Sequence, residues 1–120
     1  MEIFGKFIFL SKIVKNIFIK MKSLGDTLRK LREDKQLPLR VVAAYLDIDQ
    51  AILSRIERGQ RKASREQVIK LATYFNVSED ELIIAWLSDK VVYELAEEQL
   101  GIEALKIAEE KVKYNKIKKT

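Results

Sequence analysis

Neither cysteine nor histidine occurs among the 120 residues. That excludes disulfides, thiolate or imidazole metal sites, cysteine nucleophiles and histidine general bases. A hydrolase built on carboxylates stays open in principle. No pair of acids sits in an apolar pocket pattern, so the chain reads as a non-enzyme with no cofactor and no metal. Breakers are also scarce: one proline and four glycines. With so much Leu, Ile, Ala, Lys and Glu, that scarcity predicts an all-α chain.

What is present is a globular mixture, 48% hydrophobic and 34% charged. The length suits one domain with short appendages. The net charge of +5 is compatible with a polyanionic partner without requiring one.

Residues 1–20 differ from the rest. They hold four of the five phenylalanines, Phe4, Phe7, Phe9 and Phe18, and their longest apolar run is only residues 7–10. A spanning helix needs about 20 apolar residues, and a secretory signal needs an apolar core and a small-residue cleavage site. Membrane insertion is therefore not expected. Three readings compete. Ile3, Phe4, Phe7, Ile8, Val14, Ile17 and Phe18 recur at helical spacing, as in a basic membrane-surface helix. The same face could pack on the domain or on a partner. Alternatively, Lys, Asn, Ile and Phe fill fourteen of these twenty positions against twenty-four of the next hundred. All four have codons of A and T alone, as translated AT-rich upstream sequence would, and Met21 then becomes the start.

From Ser23 a series of short helices is expected. Ser23 caps a helix over 23–35 whose inner stripe is Leu24, Leu28 and Leu31. Leu37-Pro38 ends it, since the residue before proline avoids the α region. Pro38 can open the next helix, over 39–46, with Val42, Ala43 and Leu46 inward. Asp47-Ile48-Asp49 makes a turn in which Asp47 tolerates a left-handed backbone. Asp49 then caps a third helix, 50–58, closed by Gly59 at positive φ. Capping boxes at Ser64/Gln67 and Ser78/Glu81 start two more. The first buries Val68, Leu71, Ala72 and Phe75 and ends near Asn76; the second carries Leu82, Ile83, Trp86 and Leu87.

The third helix is two-faced. At 100° per residue Gln50, Ala51, Ser54, Arg55 and Arg58 share one arc, with Leu53 and Ile56 opposite and Ile52 at the margin. Gln can bond adenine N6 and N7, Arg can bond guanine O6 and N7, and Ala can meet a thymine methyl. Arg58, Arg61, Lys62 and Arg65 follow, suitably placed for phosphates. The blander reading is a solvated polar arc with arginines favoured near a helix C-terminus.

Residues 42–59, V-A-A-Y-L-D-I-D-Q-A-I-L-S-R-I-E-R-G, resemble the helix-turn-helix of the Cro/C1-type (XRE) family of phage repressors and bacterial regulators. Residues 64–82, S-R-E-Q-V-I-K-L-A-T-Y-F-N-V-S-E-D-E-L, are similar to that family's fourth and fifth helices. The resemblance covers residues 24–82, about half the chain. It implies a five-helix, lambda-repressor-like domain over residues 21–87 that binds duplex DNA. It further implies base reading by Gln50, Ala51 and Arg55, with Ser54 accessory, and a structural ion pair between Arg32 and Glu57. Two departures stand out. Pro38 and Leu39 occupy the places of a polar cap and a phosphate-binding Gln, so Arg40 is the substitute contact. Asp47 replaces the usual glycine of the turn.

Residues 88–120 lie beyond the resemblance. Helix is expected over 89–100, an interruption at Gly101, and helix again over 102–117. The second stretch has Leu105, Ala108 and Val112 on one side and Ile107 and Tyr114 on another. It ends in Lys111, Lys113, Lys116, Lys118 and Lys119. With too little core to fold alone, this tail is expected to lie on the domain, on a second subunit or on another protein. The expectation is a cytoplasmic homodimer on a palindromic operator, acting as repressor or autoregulator. The alternative is an antitoxin-like or restriction-modification controller protein whose tail also binds a protein partner.

Overall fold

The computed structural model describes residues 22–119. The readings for residues 1–20 lie outside the described residues. Six α-helices account for all regular structure among the described residues: α1 Leu24–Asp34, α2 Leu39–Leu46, α3 Gln50–Glu57, α4 Arg65–Phe75, α5 Glu79–Leu95 and α6 Gly101–Lys119. The chain divides into two compact units, one reaching to Leu87 and one starting at Ser88.

Local chemistry sets the helix starts in the first unit. The Ser23 hydroxyl accepts from the Asp26 N–H at 3.1 Å, and the Thr27 hydroxyl donates back to the Ser23 carbonyl at 3.0 Å. Ser64 and Gln67 form a complete capping box, with bonds of 3.1 and 2.9 Å. Ser78 supplies half of one, accepting from the Glu81 N–H at 3.3 Å. Asp49 stands at the N-cap of α3, but its side chain makes no capping bond.

Four helices stop in the same way. Gln36, Asp47, Gly59 and Asn76 have φ of +54, +56, +75 and +54°. At each, two successive N–H groups turn back onto orphan carbonyls of the last turn, the Schellman arrangement. After α3, for example, Gly59 bonds Ile56 and Gln60 bonds Arg55, at 3.1 and 2.8 Å. At three of the four stops the next residue is apolar, and Leu37, Ile48 and Val77 all pack on the core.

The expected end of the first helix at Leu37-Pro38 is corrected by this motif. α1 already ends at Asp34, because left-handed Gln36 turns the chain before the proline acts. Pro38 is the N-cap of α2 and not its first helical residue, with ψ of 156°.

One core joins α1 to α5. Leu28, Val42, Leu53, Val68, Leu71 and Leu82 are each no more than 1% exposed, and every one of the five helices contributes. On α5 the inward residues are Leu82 and Ala85, with Ile83 and Trp86 partly buried. Leu87, the last of the apolar residues named for this helix, is 43% exposed.

In the second unit α5 ends at Leu95, five residues short of the expected Leu100, and Gly101 begins α6 instead of interrupting a helix. The cause is a close approach. A Cβ on Gly101 would lie 2.8 Å from the Leu95 carbonyl oxygen, so only glycine lets α6 start there.

Candidate nucleic-acid interface

The candidate interface is built on α3, and α3 is positioned by α1 and α2. Its inner face is apolar: Leu53 and Ile56 are 1% and 3% exposed. The turn from α2 works because Asp47 adopts the left-handed conformation while Ile48 packs inward. An aspartate there costs more backbone strain than glycine would, but less than most side chains.

Two contacts with α1 hold the far end of α3. Gly25 lies against the backbone carbonyls of Ile56 and Glu57, so closely that a Cβ would overlap them. The second contact is an ion pair. Arg32 Nε donates to Glu57 Oε2 at 2.8 Å, and Arg32 Nη2 donates to Glu57 Oε1 at 3.0 Å. The third guanidinium nitrogen, Nη1, donates to the Leu37 carbonyl at 2.9 Å. One arginine thereby ties α1, the α1–α2 turn and α3 together. Glu57 is only 6% exposed, so its charge is satisfied by this fork and not by solvent. The hydrogen-bonded Glu57 carboxylate holds the Arg32 guanidinium above its ordinary pKa, outweighing burial, which pulls the other way.

With that face fixed, the opposite arc of α3 projects. Gln50, Ala51, Arg55 and Arg58 are exposed and Ser54 is half-buried. These residues carry the donor, acceptor and methyl chemistry that reads base edges in a major groove. Arg58 is the C-cap residue, and its Nε lies back on its own helix, 3.3 Å from the Ser54 carbonyl.

The segment after α3 brings Arg61, Lys62 and Arg65 to the surface, all exposed. Its shape depends on Trp86 of α5, a connection the sequence reading missed. Trp86 Nε1 donates to the Ala63 carbonyl at 2.8 Å, and the Arg65 guanidinium lies over the indole, 5.2 Å from its centroid. Arg65 is therefore oriented by an aromatic face as well as by α4. Arg40 is exposed on α2, one residue beyond Leu39, which is turned toward the core.

Gly25 was also missed. Its signal was present: a glycine inside a well-capped helix costs about 1 kcal/mol against alanine, which calls for a packing reason. Thr27, 2% exposed between Leu24 and Leu28, has no such signal. Among the described residues no group of His, Cys, Asp or Glu is arranged to hold a metal, and no helix is long and apolar enough to cross a membrane.

Comparison with known protein families points to the same segment. A helix-turn-helix family model matches residues 28–82. The HTH-type transcriptional repressor RghR of Bacillus subtilis (strain 168) is 40% identical over 50 residues, which cover 42% of this chain and 37% of that protein. The chain thus matches little more than a third of that repressor's length. The crystal structure of the restriction-modification controller protein C.AhdI from Aeromonas hydrophila is 36% identical. That match covers 49% of this chain and 89% of the other, with a TM-score of 0.46. Over residues 28–82, the span that holds the Arg32–Glu57 pair and the projecting third helix, the chain matches a helix-turn-helix family.

Proposed function

We propose that this protein binds duplex DNA sequence-specifically and acts as a small transcriptional repressor or autoregulator. The single observation that carries the reading is α3 itself. Its inner face is clamped by Gly25 and the Arg32–Glu57 pair, while Gln50, Ala51, Ser54 and Arg55 stand outward. A rigid helix with that outer chemistry is suited to a major groove. In this reading Gln50, Ala51 and Arg55 read bases and Ser54 assists. Arg40, Arg58, Arg61, Lys62 and Arg65 bind phosphates and set register. Arg32 and Glu57 touch no DNA; they position α3. RghR, named as a repressor, supports the regulatory assignment through the shared domain. The site of action is then the nucleoid, in the cytoplasm.

One eight-residue recognition helix reads only a few base pairs. A homodimer on a palindromic operator supplies the rest, with half-sites about one helical turn, ~34 Å, apart. The test is selection of bound duplexes from a random library, with the mass of the complex measured. A recovered palindrome bound by two chains supports the proposal; no enrichment of any sequence rejects it. A second reading, regulation combined with capture of a different protein, is favoured by the exposed apolar side chains of α6. It requires an unrelated chain that co-purifies and is lost when residues 101–120 are removed.

A further inference from the structure

The second unit has a surface that domain folding leaves unexplained. Every residue of α6 after Gly101 is exposed, including Ile102, Leu105, Ile107, Val112, Tyr114 and Ile117. An apolar surface of this extent marks an interaction site more often than a solvated face. A two-helix unit also gains little stability from its own packing, so cover from outside has a physical use. The side chains of α6 are apolar on several sides, the pattern of a helix surrounded by others.

Charge identifies the cover. Residues 88–110 hold seven acids against two lysines, a net charge of −5. Residues 111–119 hold five lysines and no acid, a net charge of +5. Glu109 and Lys113 pair within the helix at 3.0 Å. Lys116, Lys118 and Lys119 form no ion pair among the described residues, and neither do Glu94, Glu97 and Glu98. The helix dipole favours this polarity only in the first and last turns. It does not account for Glu109, Glu110, Lys111 and Lys113 in the middle of α6. A unit with equal and opposite halves is complementary to itself in one arrangement only. Antiparallel packing sets acid against base at both ends; parallel packing sets like against like at both.

The apolar surface follows the same polarity. At the acidic end a groove of about 250 Å³ has Val91, Leu95, Ile102, Leu105 and the acid Glu98 in its lining. At the basic end Tyr114 and Ile117 are 64% and 74% exposed. We propose that residues 88–119 are the self-association surface of this protein. Two copies pack antiparallel, and the basic end of each α6, with Tyr114 and Ile117, seats on the acidic groove end of the other. The pairing is isologous, so each contact occurs twice about a two-fold axis. It rests on the homodimer reading above and is independent of what α3 binds. It also assigns the terminal lysines to protein contact and not to phosphates.

Charge reversal tests it in the full chain without DNA. One variant carries Lys116→Glu, Lys118→Glu and Lys119→Glu; the other carries Glu94→Lys, Glu97→Lys and Glu98→Lys. Circular dichroism checks helix content, and sedimentation equilibrium gives the association constant. The wild type is expected to dimerise, and each variant alone to dimerise roughly a hundredfold more weakly, since six surface pairs become repulsive. Mixing the two variants is expected to recover a heterodimer, because the two reversed ends then face each other with opposite sign, as the two native ends do. Recovery on mixing also shows that both variants fold. Wild-type dimers untouched by either reversal, or variants that stay apart when mixed, would overturn the antiparallel assignment while leaving the homodimer. A wild type monomeric at all concentrations would overturn both, and the DNA reading would stand on its own assay.

Discussion

At the scale of single residues the domain separates contact from support. Arg55 is exposed on α3 and is involved in no packing of the core, so in the proposed reading its truncation acts on DNA and not on the fold. Arg55→Ala is expected to weaken binding to the selected operator by about 1–3 kcal/mol and to relax preference at one base position. Its unfolding midpoint should match wild type. Unchanged operator affinity in a titration would remove Arg55 from the reading set. Arg32 is the opposite case. Arg32→Ala strands Glu57 at 6% exposure and is expected to cost about 3–5 kcal/mol in urea unfolding. Replacing both partners together, Arg32→Met with Glu57→Leu, should recover much of that loss, which separates a stranded charge from lost volume. The pH sign also follows. A guanidinium with its pKa raised contributes stability that is fully present below the unfolded-state value and lost only as pH rises through the folded one. The arginine's share of stability should therefore stay flat from neutral to mildly alkaline pH.

At the scale of elements, two long-range contacts decide where α3 and the segment after it stand. Gly25 sets the distance between α1 and α3. Alanine would raise the intrinsic helix propensity of α1 by about 1 kcal/mol. The added Cβ, however, meets the carbonyls of Ile56 and Glu57, which are backbone atoms and cannot swing aside. Overpacking costs about 1–3 kcal/mol, so Gly25→Ala is expected to destabilise, and to weaken DNA binding by tilting α3. A Gly25→Ala protein more stable than wild type in a denaturant titration would contradict the contact. Trp86 holds the other segment. Trp86→Phe keeps an apolar ring on α5 but leaves the Ala63 carbonyl without its donor, an expected loss of about 1–2 kcal/mol. It also weakens the platform beneath Arg65. If Arg65 then loses the phosphate contact proposed for it, the slope of log affinity against log salt should flatten by about 0.9. An unchanged slope together with an unchanged melting curve would mean that Trp86 holds nothing.

At the scale of the whole molecule, the net charge of +5 is unevenly placed. Arg58, Arg61, Lys62 and Arg65 lie within eight residues of the chain, next to the proposed reading helix. The second unit is neutral over residues 88–119 despite its five clustered lysines, because seven acids precede them. Polyanion attraction therefore belongs to the first unit, and opposite-sign pairing suits the second. In the proposed dimer the two functions support each other. Linking two weak half-site contacts raises effective concentration, so operator affinity and self-association are expected to change together.

Much of the first unit was legible in the chain because its signals are short-range. Ser23, Ser64 and Ser78 announce helix starts through bonds that span three residues. Asp47, Gly59 and Asn76 announce stops through backbone conformations that few other side chains adopt. Val42, Leu46, Leu53, Ile56, Val68 and Leu71 declare their inner faces by the 3.6-residue period alone. The arc of Gln50, Ala51, Ser54 and Arg55 follows from the same arithmetic. Gln36 was missed because glutamine carries no preference for a left-handed turn. The sequence by itself thus determined which segments are helical, where most begin and stop, and which side of α3 is polar. Only the tertiary structure decided that Gly25 touches the end of α3, that Arg32, paired with Glu57 as the family resemblance implied, forks onto it through Nε and Nη2 and reaches Leu37, and that Trp86 anchors Ala63 beneath Arg65. Those contacts join residues 23 to 32 positions apart, or in the case of Leu37 a turn closed by Gln36. Caps and periodicity are written within one or two turns of chain, whereas close approach is fixed only when separate helices share one core.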